Sequence, residues 1–185
     1  MYGILGEDNS DVAMLKVLVR RLANDKSLPV KGKGYGGAGE MLRKGAKQLD
    51  LFKALYSCER FIVCHDADGP DPGPKKILVD ERIVKPSGVA NACCILVPVQ
   101  ELEAWILADI ECAINIFTSW QPAPIQNPEK IVSPKEYLEK LSRDSKQRPR
   151  YSHAVHNEKM AKHLDLDKVQ NKCPAFSELV EFVRR

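Results

Sequence analysis

Short apolar runs and longer amphipathic stretches take turns along most of this chain. Tyr2 to Gly6 is continuously apolar and ends in glycine, which predicts a strand. Asp11 to Asn24 then repeats apolar residues near the helical period at Val12, Leu15, Val19 and Leu22, with Ser10 or Asp11 as N-cap. Pro29 to Tyr35 predicts a weaker strand, broken by Gly32 and Gly34. The stretch GYGGAG leads into a helix from Glu40 to Tyr56, with Met41, Leu49, Phe52 and Leu55 among its apolar positions. RFIVCH, from Arg60 to His65, is the clearest strand. GPDPGP interrupts, and a helix is expected from Lys75 to Lys85. CCILVPV, from Cys93 to Val99, predicts a further strand running into the helix ELEAWILAD, where Leu102, Trp105 and Ile106 face inward. Proline and polar residues dominate after Ile116, and short helices are expected at Pro134–Leu141, Ala154–Leu164 and Pro174–Arg184.

Strands alternating with helices predict an α/β fold: a mostly parallel, Rossmann-like sheet covered on both faces. The best strands are apolar throughout, as burial on both faces requires. Residues 1–117 form the expected core and residues 118–185 a helical C-terminal extension packed on it, a single domain in all.

The acidic residues change this picture most. In open parallel sheets, sites form beyond the carboxyl ends of the strands. Those ends carry Glu7 and Asp8 after the first strand, Asp66 and Asp68 after the third, and Glu101 and Glu103 after the fourth. Each has an ordinary explanation. Asp8 or Asp11 can cap a helix, Asp-x-Asp before glycine can be a solvated turn, and Glu103 can be an exposed helix residue. All of them together on one edge argue for shared chemistry. Crowded carboxylates repel one another unless protons or cations neutralise them. Mg²⁺ (or Mn²⁺) with hard oxygen ligands and substrate phosphate oxygens is the natural cation. Glu7 would then be a ligand or a base for the attacking water, Asp66 and Asp68 ligands, and Glu103 a further ligand or supporting acid. Two such ions would clamp both oxygens of a phosphodiester displacement.

GEDNSD also opens like a receiver domain of a signalling relay, but Asp66 falls too far along for the phosphoacceptor, and acids follow CCILVPV where a lysine is needed. The arrangement resembles the Toprim fold instead, with Glu7 in GILGE and Asp66-Ala67-Asp68 in FIVCHDAD. Glu103-Ala104-Trp105, in VPVQELEAWILAD, narrows the resemblance to small Toprim-like proteins related to RloB and OLD-type nucleases, often encoded beside ABC-type ATPases. NPEKIVSPKEYLEKL, Tyr151 and PAFSELVEFVRR are similar to that group's C-terminal half. The resemblance implies a Mg²⁺-dependent nuclease with Glu7, Asp66, Asp68 and Glu103 as catalytic and metal-binding residues. It also implies a role in antiviral defence with an ABC-type ATPase partner. His153 stands where the resemblance leads one to expect lysine, so a charge there depends on pH. A non-catalytic Toprim-derived binding or regulatory subunit is the alternative.

The net charge of +3 is too small for whole-molecule attraction to nucleic acid, so a local patch must hold it. Lys31 and Lys33 beside the glycine-rich loop, and Arg148, Arg150, Tyr151 and His153 in QRPRYSH, are the candidates. No Gly-Lys-Ser/Thr ending makes the glycine loop a P-loop. The six cysteines include no Cys-x-x-Cys pair and read as reduced, mostly buried thiols. No signal peptide or membrane span is read from the sequence, and the expected location is cytoplasmic.

Overall fold

The computed structural model describes residues 1–185. Its strands are β1 (Tyr2–Gly6), β2 (Val30–Gly34), β3 (Arg60–Cys64) and β4 (Cys93–Leu96), paired in the order β2-β1-β3-β4 with every pairing parallel. Helices α1 (Asn9–Leu22) and α2 (Ala38–Tyr56) follow β1 and β2. Helix α3 (Gly73–Val79) leads into a π-helical turn at Asp80–Val84, before β4. After β4 come α4 (Ala104–Ala108), 3-10 turns at Ile110–Asn115, α5 (Pro134–Leu141), α6 (His153–Ala161), α7 (Leu166–Lys172) and α8 (Pro174–Arg184).

Alternation along each strand divides the core. Tyr2 and Ile4 of β1, Ile62 and Cys64 of β3 and Leu96 of β4 join one cluster with α1, α4, α6 and α8. Leu5, Phe61 and Val63 point the other way and pack on Met41, Leu49 and Phe52 of α2 and on Val79, Ile83 and Val84. This is the period-two signature of a sheet covered on both faces. The first cluster draws on residues both before and after position 117, so the C-terminal helices share the core of the sheet. Helix α6 lies along α1, and α8 packs on β4. Trp105 is fully buried and meets Phe176 of α8 edge to face, with ring centroids 5.0 Å apart. Its truncation to alanine would cost about 3–5 kcal/mol.

The structure moves several expected boundaries. Helix α1 starts at Asn9 because Asp8, ahead of Ser10 and Asp11, is the N-cap. The Asp8 carboxylate accepts from the Ser10 and Asp11 amides, and the Asp11 carboxylate in turn accepts from the Asp8 amide. Strand β4 pairs only as far as Leu96, and Pro98 beyond it has no N–H for a ladder. The ELEAWILAD helix is cut short at Ala108, where buried Asp109 accepts from the Asp165 amide and from Lys168. Helix α7 was not expected; Asp165 caps it through the Asp167 and Lys168 amides. No helix is long and apolar enough to cross a membrane.

Candidate functional site

The chain leaves β1 for β2 on one side and later enters β3 on the other side of β1. Connections that diverge in this way open a crevice at the carboxyl ends of the two central strands. A pocket of about 290 Å³ lies there, lined by Glu7, Asp8, Asp11, Tyr35, Asp66, Glu103 and Lys135 with Gly36 and Gly37. Gly34 lets β2 close its near side: a side chain there would strike the Asp8–Asn9 backbone at 2.3–2.4 Å.

Each acid is held differently. Glu7 leaves the end of β1, and its Oε1 accepts from the Asp66 amide at 2.8 Å. The same oxygen lies 3.0 Å from His65 Nδ1, which is also 2.7 Å from the Asp66 carbonyl. Both neighbours are acceptors, so Nδ1 carries the hydrogen. Asp66 accepts from the Leu102 amide at 2.9 Å, tying the end of β3 to the segment after β4. Glu103 is 4% exposed and accepts from Asn157 of α6 at 3.0 Å, and Asn157 in turn accepts from the Tyr151 hydroxyl. Residues far apart in sequence thus converge through strand ends and a buried hydrogen-bond chain.

Their electrostatics register the crowding. Burial, reinforced by the charges of Asp11, Glu103 and Glu7, holds Asp66 well above the usual carboxylate range. Burial, with Asp8, Glu103 and Glu7 nearby, pushes Asp11 up to about 8. Burial raises Glu103 as well, against the pull of the Asn157 amide. Burial by itself would lower His65, but the hydrogen bond and charge of Glu7 raise it. Burial likewise opposes charge on Lys135, yet Glu101, Glu103, Glu136 and Asp66 raise its ammonium. Lys135 is the one lysine or arginine lining the pocket.

Hard oxygen donors gathered around one lysine fit a divalent cation. Glu7, Asp11, Asp66 and Glu103 are the side chains able to hold it. No three of the chain's His, Cys, Asp or Glu side chains stand in coordinating geometry, and the carboxylates line the pocket without closing on one point.

The other residues singled out in the sequence are distributed as follows. Asp68 adopts a left-handed backbone at φ 50, is exposed, and pairs with Lys75 at 2.7 Å outside the pocket. Glu101 accepts from the Lys135 amide in the first turn of α5. Lys31 lies 4.3 Å over the Tyr56 ring, and Lys33 reaches towards Tyr35 at the pocket wall. Arg148 is paired with Asp144, and Arg150 fastens its loop to Ser142 and Ser119. Tyr151, a candidate for the nucleic acid patch, is 2% exposed and donates to Asn157. His153 Nε2 lies 3.7 Å from Asp8 at the adjoining surface.

Three pocket residues had no signal of this role in the sequence. Asp11 reads as a possible N-cap and stands instead at the third helical position, where its carboxylate completes the capping box with Asp8; Tyr35 lies in a glycine-rich stretch; Lys135 is one lysine in an amphipathic helix. His65 had been counted as the last residue of a strand.

A family model described as Domain of unknown function (DUF4276) matches residues 7–184. Neither the curated proteins nor the solved structures include a match.

Proposed function

The chain belongs to the DUF4276 family, and from its acidic pocket we propose that it is a divalent-metal-dependent nuclease that cleaves phosphodiester bonds. One observation carries the reading: Glu7, Asp66 and Glu103, from three successive strand ends, line one pocket at the crevice of the sheet. The likeness of GILGE, HDAD and ELEAW to Toprim motifs supports it. So does the energetic need of raised carboxyl groups for a positive charge.

In this reading Glu7, Asp66 and Glu103, joined by Asp11, would hold Mg²⁺ or Mn²⁺. A bound ion of this kind neutralises phosphate charge and lowers the pKa of a coordinated water. The Asp66 amide and His65 fix the Glu7 carboxylate, which takes a proton from the attacking water or serves as a ligand. The water oxygen would bond to phosphorus as the bond to the leaving oxygen breaks, and that oxygen would take a proton from solvent. Lys135 offers the entering phosphate a counter-charge. Asp68 joins the ligand set only by releasing Lys75. Lys31, Lys33, Arg148, Arg150 and His153 provide nucleic acid contacts around the rim, and Tyr151 acts through Asn157. The resemblance to Toprim-like proteins suggests an effector subunit in anti-phage defence, working with an ABC-type ATPase.

The test is direct. Purified protein with Mg²⁺ or Mn²⁺ cuts at least one of tRNA, plasmid DNA and single-stranded DNA, and an Asp66→Ala, Asp68→Ala variant does not. Equal cleavage by that variant overturns the assignment. A second reading, a non-catalytic Toprim-derived regulatory subunit, is favoured by the structural duties of the same acids: Asp8 and Asp11 cap α1, and Glu103 joins a buried hydrogen-bond chain. Tight association with an ATPase without cleavage, alone or in complex, would support it.

A further inference from the structure

The acidic pocket is one end of a longer groove. It shares Asp8 and Tyr35 with a neighbouring depression of about 350 Å³ between α1 and α6. That depression shares Asn9, Ala13 and Glu158 with another of about 270 Å³ that ends at Lys16, Arg20 and Gly32. The floor is one stripe of α1: Asn9, Ala13, Lys16 and Arg20 follow one another at helical spacing and are the partly or fully exposed side of a helix whose other faces are largely buried. From Asn9 to Arg20 the helix rises about 16 Å, which matches about five phosphates of one duplex strand at about 3.4 Å each.

The far end of this groove is cationic and unpaired. Lys16 lies across Gly32 of the edge strand, where a side chain would strike Lys16 Cε at 2.8 Å. Lys16 faces Arg20 and Lys31, and the one acid near it, Glu158, is already held by Lys162 at 3.0 Å. At the pocket's mouth the Tyr35 hydroxyl is buried with no hydrogen-bond partner, although Tyr35 lines both adjoining depressions. Asp8, which would repel a phosphate, has one carboxylate oxygen committed to the Ser10 and Asp11 amides. Two cations without a carboxylate partner, Lys16 and Arg20 (the latter donating to the Leu28 carbonyl), and an unsatisfied hydroxyl thus mark the two ends of one groove that opens into the acidic pocket. Burial and the flanking cations also press the Lys16 ammonium below its ordinary value, a strain that an anion would relieve.

We propose that a nucleic acid strand enters the acidic pocket along α1, with its phosphates held by Lys16 and Arg20 and, at the mouth, by the Tyr35 hydroxyl. Ala13 and Val155, the latter exposed on α6, supply apolar surface for sugars between those contacts. The proposal rests on the nuclease reading for its purpose, and binding without metal tests it separately. A repeated polyanion suits the site better than an acidic peptide, whose flexible carboxylates would meet the same acids without a divalent ion's help.

The experiment is fluorescence anisotropy with labelled single-stranded and duplex oligonucleotides in EDTA, at salt from about 50 to about 200 mM. The Lys16→Glu, Arg20→Glu variant should bind about tenfold more weakly at the lower salt. Its plot of log affinity against log salt should be shallower by about 0.7–0.9 for each cation removed. An Arg43→Glu, Lys47→Glu variant changes net charge equally on the exposed face of α2 and should bind within about twofold of wild type. Tyr35→Phe should weaken binding and leave the salt slope unchanged, because it removes a donor and no charge. Unfolding midpoints of all variants verify folding. Equal losses in the two double variants, no loss at Lys16 and Arg20, or no binding by wild type overturns the proposal. Binding along this track with no cleavage under any metal sinks the nuclease reading and leaves the track standing. Full cleavage by the Lys16→Glu, Arg20→Glu variant does the reverse.

Discussion

The two ends of the sheet hold contrasting cavities. At the amino end, residues just before β3 and β4 line a space of about 750 Å³ that includes Lys53, Cys58, Phe61 and Gly88. At the carboxyl end the acidic pocket measures about 290 Å³. The larger space is chemically quiet: Lys53 donates to the Gly88 carbonyl, the Gly88 amide donates to Asp50, and Cys58 is a buried thiol raised by burial. The smaller one gathers acids whose charges the chain leaves largely uncompensated. Volume and charge point to opposite ends, and the proposed chemistry follows charge. Unbalanced charge, at a place where chain connections diverge, is the better guide to chemistry.

The strongest way to break this contrast is to compare equivalent removals at the two ends. Asp66→Asn should lower metal-dependent cleavage at least about a hundredfold, since a metal site supplies several kcal/mol at about 1.4 kcal/mol per decade. Lys53→Ala, at the amino end, should leave the rate within about twofold. Comparable losses from both would end the distinction.

Ligand-dependent stability sharpens it next. Mg²⁺ at about a hundred times its dissociation constant contributes about 2.7 kcal/mol, a rise in the thermal midpoint of about 5–10 °C for a chain of this size. Asp66→Asn should abolish that rise in a calorimetric scan, and Lys53→Ala should keep it.

The hydrogen-bond chain behind Glu103 comes third. Asn157→Ala leaves the buried Tyr151 hydroxyl and Glu103 carboxylate without their shared partner, which should cost about 1–3 kcal/mol of stability in a denaturant titration. If Glu103 is a ligand, metal affinity should fall about 10–100-fold as well. A stability loss with unchanged metal affinity would confine Glu103 to a structural role.

A pH dependence of the metal-free protein completes the comparison. Asp11 titrates near about 8 in the folded chain and near about 4 when unfolded, so the folded state keeps a proton that the unfolded state has lost. Stability from this group is fully present below about pH 4 and is lost as pH rises through about 8. Asp11→Asn should therefore match wild type at pH 4 and gain on it steadily as pH rises towards 8. Saturating Mg²⁺ should erase the wild-type deficit. An Asn variant with the same advantage at every pH would show that crowded charge is not its source.

Local patterning determined the parts of this protein that depend on near neighbours. The apolar run Tyr2–Gly6 and the helices Pro134–Leu141 and Pro174–Arg184 match their expected limits, because strand periodicity, proline at the first helical turn and amphipathic spacing act over a few residues. The same reading placed Glu7, Asp66 and Glu103 at strand ends, and a parallel sheet with one carboxyl edge brings those ends together. Tertiary structure decided the rest. Strand order set the crevice between β1 and β3, and a left-handed residue sent Asp68 outward to Lys75. Tyr35 and Lys135 reached the pocket, and Asn157 reached Glu103 behind it, from distant segments through packing. Their roles depend on which surfaces meet once the sheet is covered, and no spacing along the chain encodes that.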